Sequence, residues 1–427
     1  MNICVQDRDE AKIMKQPSIL LLAGEASGDY HAAAMVKDLK QLSPDIHVVG
    51  IGGDKLAQAG MESIYHYRDI NTIGLSGGFA KIHNIVKAYR KMKQEITSGR
   101  HQLFVPVDFP DVNLRLCSVA KKARIPVCYY ISPQVWAWRK GRLRTIAARV
   151  NRMMTIFPFE AELYRTAGLR ADFVGHTMVK DIPARVDKHE LRKEFGVDPS
   201  RSVTALVPGS RQTEIIRMLP VMCEAARMYS RKYPDALFLL PLASPHLAEL
   251  VHNIIESYDI RVSVHNIEAA RLMAACDSGL VTSGTATLQA ALAGMPHVVA
   301  YKLDSFSWIL ASKILKPLVM EEDIHVAIAN VLAIKSEKQG GGPIKEMIDS
   351  GYHVACQECG RPLFVPELLQ DKASPENLAE WLVRFRSEDG LRAAMVRGFD
   401  QLRRMLEPEQ PSLTPAAVIM ECLQGRA

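Results

Sequence analysis

Short apolar runs, each followed by an amphipathic stretch of helical length, recur along this chain: Ser18 to Ala23, Ile46 to Ile51, Leu103 to Val107, Pro126 to Ile131 and Arg152 to Phe157. A run that is apolar on both of its alternating faces belongs in a sheet covered on both sides, and repeated β-α units build such a sheet from parallel strands. The pattern breaks at Gly175 to Asp198, which is rich in charge. It restarts at Ser202 to Val207, Ala236 to Leu240, Ile260 to Val264, Gly279 to Thr282 and His297 to Tyr301. This predicts an α/β protein of two doubly wound domains joined near residues 180 to 200. The expected division is a tail over 1–16, a first domain over 17–180, a second over 181–400 and a tail over 401–427 that returns to the first domain or to a partner chain.

At 427 residues and 48% hydrophobic composition the chain has material for two sizeable cores, which excludes disordered and fibrous classes. Its net charge of +6 is too mild for a dedicated nucleic-acid binder, yet it suits anionic ligands or an anionic membrane surface. Eight cysteines are scattered, several within apolar runs, and read as reduced thiols of a cytosolic protein. The N-terminus lacks the apolar stretch of a signal peptide. The longest uncharged run, Ser278 to Tyr301, is broken by Gly279, Gly284, Gly294 and Pro296 and reads as strand, turn, helix, strand, so any membrane contact is expected to be peripheral.

Ligands of doubly wound sheets bind beyond the carboxyl ends of the strands. The loops there carry glycine, hydroxyl or charge. Gly284 permits close backbone approach, and Ser283, Thr285 and Thr287 add hydroxyls, with Ala286 and Gln289, where a helix begins; this suits a diphosphate or an ordinary capped helix equally. Gly209, Ser210 and Arg211 favour the diphosphate, because a guanidinium beside a Gly-Ser turn can clamp phosphate oxygens. Neither a Walker sequence nor a GxGxxG is present. Asp108 and Asp111 flank Pro110 at a strand end: Asp111 reads as the cap of the following helix and Asp108 as a base for an acceptor hydroxyl. Glu25 and Asp29 lie in the first turn, Asp29 reading most simply as a cap.

Trp136 and Trp138 read as core or as a sugar-stacking pair, and the basic residues that follow them as a solvated face or a headgroup contact. Gly74 to Ile82 is an exposed apolar loop or a packed turn. Cys356 and Cys359 have the spacing of half a zinc knuckle without the other half, and no metal is expected.

Taken in order, these elements resemble the lipid-A-disaccharide synthase family of inverting glycosyltransferases. The resemblance is carried by AGEASGD at 23–29, GIGG at 50–53, VDFPD at 107–111, YYISPQVWAWRKGR at 129–142, FPFE at 157–160, FVGHTM at 173–178, LVPGSRQTEI at 206–215, SGTATLQAAL at 283–292, VVAYK at 298–302, IANVLA at 328–333 and VPELLQ at 365–370. It implies a GT-B fold, two Rossmann-like domains facing across a cleft. It also implies transfer from UDP-2,3-diacylglucosamine to 2,3-diacylglucosamine 1-phosphate, with inversion to a β-1,6 disaccharide and release of UDP, without a metal or other cofactor. Carried over residue by residue, Asp108 is the base on the acceptor hydroxyl, Arg211 the diphosphate clamp, Asn330 an active-site amide and Glu25 a residue of the cleft. Ser27, Gly28, Trp136 and His176 join the substrate-binding set. The implied setting is the cytoplasmic face of a Gram-negative inner membrane, bound peripherally, with a homodimer possible and no nucleic acid.

The chain departs from the family pattern at Gln289, where Glu is usual, an amide that keeps an acceptor but loses charge. It also inserts Ile334 to Pro362 between IANVLA and VPELLQ, and its stretch near Gly74 is less apolar than a membrane-docking segment. The alternatives are another UDP-sugar enzyme, such as a 2-epimerase or a different lipid glycosyltransferase, and a non-catalytic nucleotide-sugar or lipid-binding paralogue.

Overall fold

The computed structural model describes residues 16–71, 78–133, 140–302, 327–337, 363–408 and 410–425. The chain divides into two compact units. One comprises the residues up to Ile156, Glu160–Val174 and the stretch from Gln410 onward; the other comprises Phe157–Phe159 and Gly175–Pro408.

The first unit holds β1 (Ser18–Ala23), β2 (His47–Gly52), β3 (Glu62–His66), β4 (Leu103–Val107), β5 (Cys128–Tyr130), β6 (Arg152–Thr155) and β7 (Arg170–Phe173), in the sheet order β3-β2-β1-β4-β5-β6-β7. All pairings are parallel. The second unit holds β8 (Val203–Val207), β9 (Leu237–Pro241), β10 (Val262–His265), β11 (Ser278–Thr282), β12 (His297–Tyr301) and β13 (Glu367–Leu369), again all parallel, in the order β10-β9-β8-β11-β12-β13. Chain direction across each sheet reverses once, between β1 and β4 and between β8 and β11. At those two places diverging loops leave a crevice for ligands within each unit.

Every apolar run named from the sequence forms a strand, its ends displaced by at most one or two residues. β1, β4 and β8 are buried along their whole length, as parallel strands covered on both faces must be. β3, β7 and β13 escaped the sequence reading because they are outer strands with mixed composition, ESIYH, RADF and ELL.

The helix Asp389–Leu406 runs through residue 401 within the second unit, where buried Arg403 donates to the carbonyls of Val179, Ile182 and Leu292. The helix Pro415–Leu423 belongs to the first unit, packed on the helix Ala26–Leu42 and on β5. Arg152 pins it: Nε meets Asp172 Oδ2 at 2.5 Å and a terminal nitrogen meets Glu421 Oε2 at 2.6 Å, with the Arg152 side chain 1% exposed. No helix among the described residues is long and apolar enough to cross a membrane.

Candidate active site

In the first unit the crevice is bordered by the loops after β1 and β4. The β1 loop enters the helix Ala26–Leu42 with Glu25 at the N-cap position, its side chain exposed and making no cap bond. Ser27 is exposed and Gly28 buried beneath it. Asp29 does not cap its own helix, as the sequence suggested. It is buried inside that helix and caps the next one, Asp54–Gln58: its carboxylate accepts from the backbone N–H of Gly53 at 2.6 Å, Lys55 at 3.2 Å and Leu56 at 3.3 Å. Close packing around this turn explains two of the glycines of GIGG. A Cβ at Gly53 would lie 2.8 Å from Asp29 Oδ2, and one at Gly50 would lie 1.8 Å from the Leu21 carbonyl oxygen.

The β4 loop makes a sharp elbow. Asp108 and Phe109 both have left-handed backbones, φ 45° and 48°, which side chains other than glycine seldom adopt. Pro110 then opens the helix Pro110–Lys122, to which its fixed φ is suited. Phe109 takes the N-cap position, so Asp111 is not the cap; it lies exposed in the first turn, 3.5 Å from Arg142. The Asp108 N–H continues the sheet by donating to Tyr130 O at 3.0 Å. Its carbonyl oxygen accepts from the Tyr129 hydroxyl and the Asn113 amide, each at 2.6 Å.

The Asp108 carboxyl is pushed up to about 6, first by burial and then by the negative charge of Glu25, against the lowering effect of a hydrogen bond from the Phe109 backbone. The Asp108 carboxyl, at the mouth of the reversal point, is therefore a base of near-neutral strength.

In the second unit the crevice is bordered by the loops after β8 and β11. Gly209 has φ 112°, and Arg211 is the N-cap of the helix Gln212–Lys232. Glu214 closes this turn. Its Oε2 accepts from the N–H of Ser210 at 3.0 Å and of Arg211 at 3.2 Å, while Oε1 meets the Arg211 guanidinium at 3.0 Å. The carboxylate is largely covered, 12% exposed, whereas the Arg211 side chain is 74% exposed and keeps further N–H donors facing solvent. In the loop after β11, Gly284 at φ 140° caps the helix Thr285–Leu292, and nothing lies within 4 Å of where its Cβ would be. Gly284 and Thr285 are exposed; Ser283, Ala286 and Gln289 are half-buried. Thr287 is buried and its hydroxyl donates to Gly284 O at 2.9 Å, so it shapes the turn.

Asn330, expected as an active-site amide, is fully buried in the helix Ile328–Glu337. Its Nδ2 donates to Val365 O at 2.9 Å and Glu367 Oε1 at 2.7 Å, and its Oδ1 accepts from Val365 N at 3.0 Å. Both amide hydrogens are spent on holding the approach to β13, and neither is left for a ligand. His176 is likewise buried; its Nδ1 accepts from Met178 N at 3.3 Å to cap the short helix Thr177–Asp181, and its ring packs near Phe157. Trp136, Trp138, residues 72–77, and residues 338–362 with Cys356 and Cys359 lie outside the described residues. Among the described residues no three His, Cys, Asp or Glu side chains cluster as metal ligands would.

The sequence reading missed Tyr129, Asn113 and Glu214. Glu214 was findable, being the acidic third position after a helix N-cap. Asn113, a buried polar residue inside an otherwise apolar helix face, gave a weaker signal.

The lipid-A-disaccharide synthetase family matches residues 19–337. The lipid-A-disaccharide synthase of Geobacter sulfurreducens is 33% identical over 95% of this chain and 97% of its own length; that of Anaeromyxobacter dehalogenans is 36% identical over 92% and 94%. The chain belongs to the lipid-A-disaccharide synthase family. Among solved structures, an S. aureus MnaA–UDP co-structure aligns with TM-score 0.60 at 11% identity, covering 96% of this chain and 98% of that one. The calicheamicin glycosyltransferase CalG4 aligns with TM-score 0.56 at 15% identity, covering 97% and 99%. These likenesses are of fold, and with the two parallel sheets they make this lipid-A-disaccharide synthase family member a GT-B protein of two Rossmann-like units. Neither the epimerase nor the paralogue alternative gains support, since the sequence kinship runs to the synthases.

Proposed function

We propose that this glycosyltransferase condenses UDP-2,3-diacylglucosamine with 2,3-diacylglucosamine 1-phosphate, with Asp108 as the general base. In that step the ionised Asp108 carboxylate takes the proton of the acceptor 6-hydroxyl as its oxygen bonds to the donor's anomeric carbon. The bond from that carbon to the diphosphate breaks on the opposite face, the configuration inverts to β, and UDP departs. The observation that carries this reading is the elbow: a strained, partly buried carboxyl at the point where the sheet order reverses, raised to about 6. A base of that strength is still ionised at neutral pH and binds a proton far better than an ordinary carboxylate.

Arg211, exposed beside the Gly209–Ser210 turn, supplies positive charge to the departing diphosphate, helped by the open helix start at Gly284 and Thr285. Glu25 tunes Asp108. Ser27, Gly28 and Gln289 border the two crevices, Gln289 offering an amide to the nucleotide. The acyl chains of both substrates, with the net charge of +6, support a peripheral encounter with an anionic inner-membrane surface.

The test is mass spectrometry of the purified full chain incubated with both substrates, looking for the tetra-acylated disaccharide phosphate. The expected result is product from the wild type and none from Asp108→Asn, with UDP binding retained in both. Turnover by the Asn variant would remove Asp108 from the mechanism.

A further inference from the structure

Two consecutive left-handed residues that are not glycine hold a conformation that their own backbones resist, so neighbouring contacts must impose it. At Asp108 and Phe109 those contacts are identifiable. The Asp108 carbonyl oxygen is gripped from two directions by Tyr129, which comes from β5, and Asn113, which lies one turn into the following helix. Both side chains are fully buried. The second Asn113 acceptor is the Val107 carbonyl at 3.3 Å, so its amide bridges the last residue of β4 and the first of the elbow. Its Oδ1 has no hydrogen-bond partner among the described residues. A buried acceptor left unpaired is a standing cost, and it marks this amide as present for its N–H groups.

We infer that Tyr129 and Asn113 are positioning residues for the reaction, holding the Asp108 carbonyl so that the strained elbow presents its carboxyl to the crevice. The inference rests on the reading of Asp108 as the base. Neither residue reaches substrate; each acts through Asp108. The Tyr129 hydroxyl stays protonated, since burial raises it far above the ordinary range, so it donates at every working pH. Among the described residues, the charged or titratable groups that bear on Asp108 are Glu25 from the β1 loop and Tyr129 itself. With the grip released, the elbow relaxes, the carboxyl moves toward water, and its proton affinity drops.

The experiment uses full-length Tyr129→Phe, which keeps the ring and removes only the donor, with Asn113→Ala as the second variant. Tyr229→Phe, which removes a buried hydroxyl from the second unit, is the matched control. Both test variants are expected to lower kcat roughly ten- to a hundred-fold with KM nearly unchanged, the scale of a misplaced catalytic group. Their acid limb in kcat/KM is expected to move to lower pH, while Tyr229→Phe leaves both quantities alone. Because the two donors act on one oxygen, the double variant loses less than the product of the single losses. Wild-type kcat and an unmoved limb in the test variants, or the same change in the control, overturns the inference. If Asp108→Asn itself keeps turnover, the base assignment has failed instead, and that arm separates the two failures.

Discussion

The ring of Phe109 fills the space in which a side chain on residue 24 would stand: a Cβ at Gly24 would lie 2.4 Å from two of the ring's carbon atoms. The glycine that ends β1 and the elbow that ends β4 are thus one packing unit. Gly24→Ala is expected to push the ring and tilt the elbow, costing about 1–3 kcal/mol of stability as overpacking does. Turnover should fall while UDP binding in the second unit persists. Unchanged turnover in a folded Ala variant would uncouple the ring from the base.

Asp108 carries a stability cost whose sign is fixed by the direction of its shift. A carboxyl whose folded value is raised to about 6 holds its proton more tightly in the native state than in the unfolded chain. The stabilisation this gives is complete below about pH 4 and is lost as pH rises to about 6. Asp108→Asn removes the ionisation and keeps a side chain that tolerates left-handed backbone. It is expected to be more stable than the wild type at pH 7, by roughly 2–3 kcal/mol at most, while inactive. In the wild type, kcat/KM should rise with pH through about 6 as the base ionises. Calorimetry of the Asn variant and a pH-rate profile of the wild type check the two halves separately.

Arg211 and Glu214 divide ligand binding from helix capping. Arg211→Ala, at an exposed guanidinium, should weaken UDP binding about tenfold or more, the scale of a charged hydrogen bond, and shift the melting temperature little. Glu214→Ala should cost about 1–2 kcal/mol of stability, because two backbone N–H groups lose their cap. Titration calorimetry with UDP beside thermal melts distinguishes these outcomes.

Asn330 is expected to fail structurally before it fails chemically. Asn330→Asp places a second carboxylate beside Glu367 Oε1 and takes the donor from the Val365 carbonyl. The loss should be roughly 3–5 kcal/mol, larger than for Asn330→Ala, since an unpaired buried charge costs more than an unpaired dipole. Turnover abolished with an unchanged melting curve would return Asn330 to direct contact with substrate.

Ten of the strands were legible because a doubly buried parallel strand must be apolar throughout, as SILLLA and VTALV are; the sheet order, and with it the reversal points, came only from the structure. The loops bearing Asp108 and Arg211 were legible as the polar interruptions that follow such strands. What the sequence did not disclose is where shared polar atoms go. Asp29 reads as a cap, yet which helix it caps depends on β1 and β2 being neighbours. Asn330 has the chemistry of a ligand-binding amide, and only the arrival of Val365 and Glu367, more than thirty positions away, occupies it. The backbone strain at Asp108 and Phe109 has no sequence signature, because tertiary contacts from Tyr129 and Asn113 enforce it.

The helix Pro415–Leu423 sets an unusual order of assembly. Ribosomes deliver β1 to β7 first, but the partner that Arg152 and Cys128 require is translated only after the whole of the second unit. At roughly 5–20 residues per second, that interval is on the order of ten to fifty seconds. Through it the nascent first unit carries a buried-type arginine and an apolar face of the helix Ala26–Leu42 without their cover. The first unit therefore gains its full cover only once residues 410–425, which follow the second unit along the chain, have packed onto it.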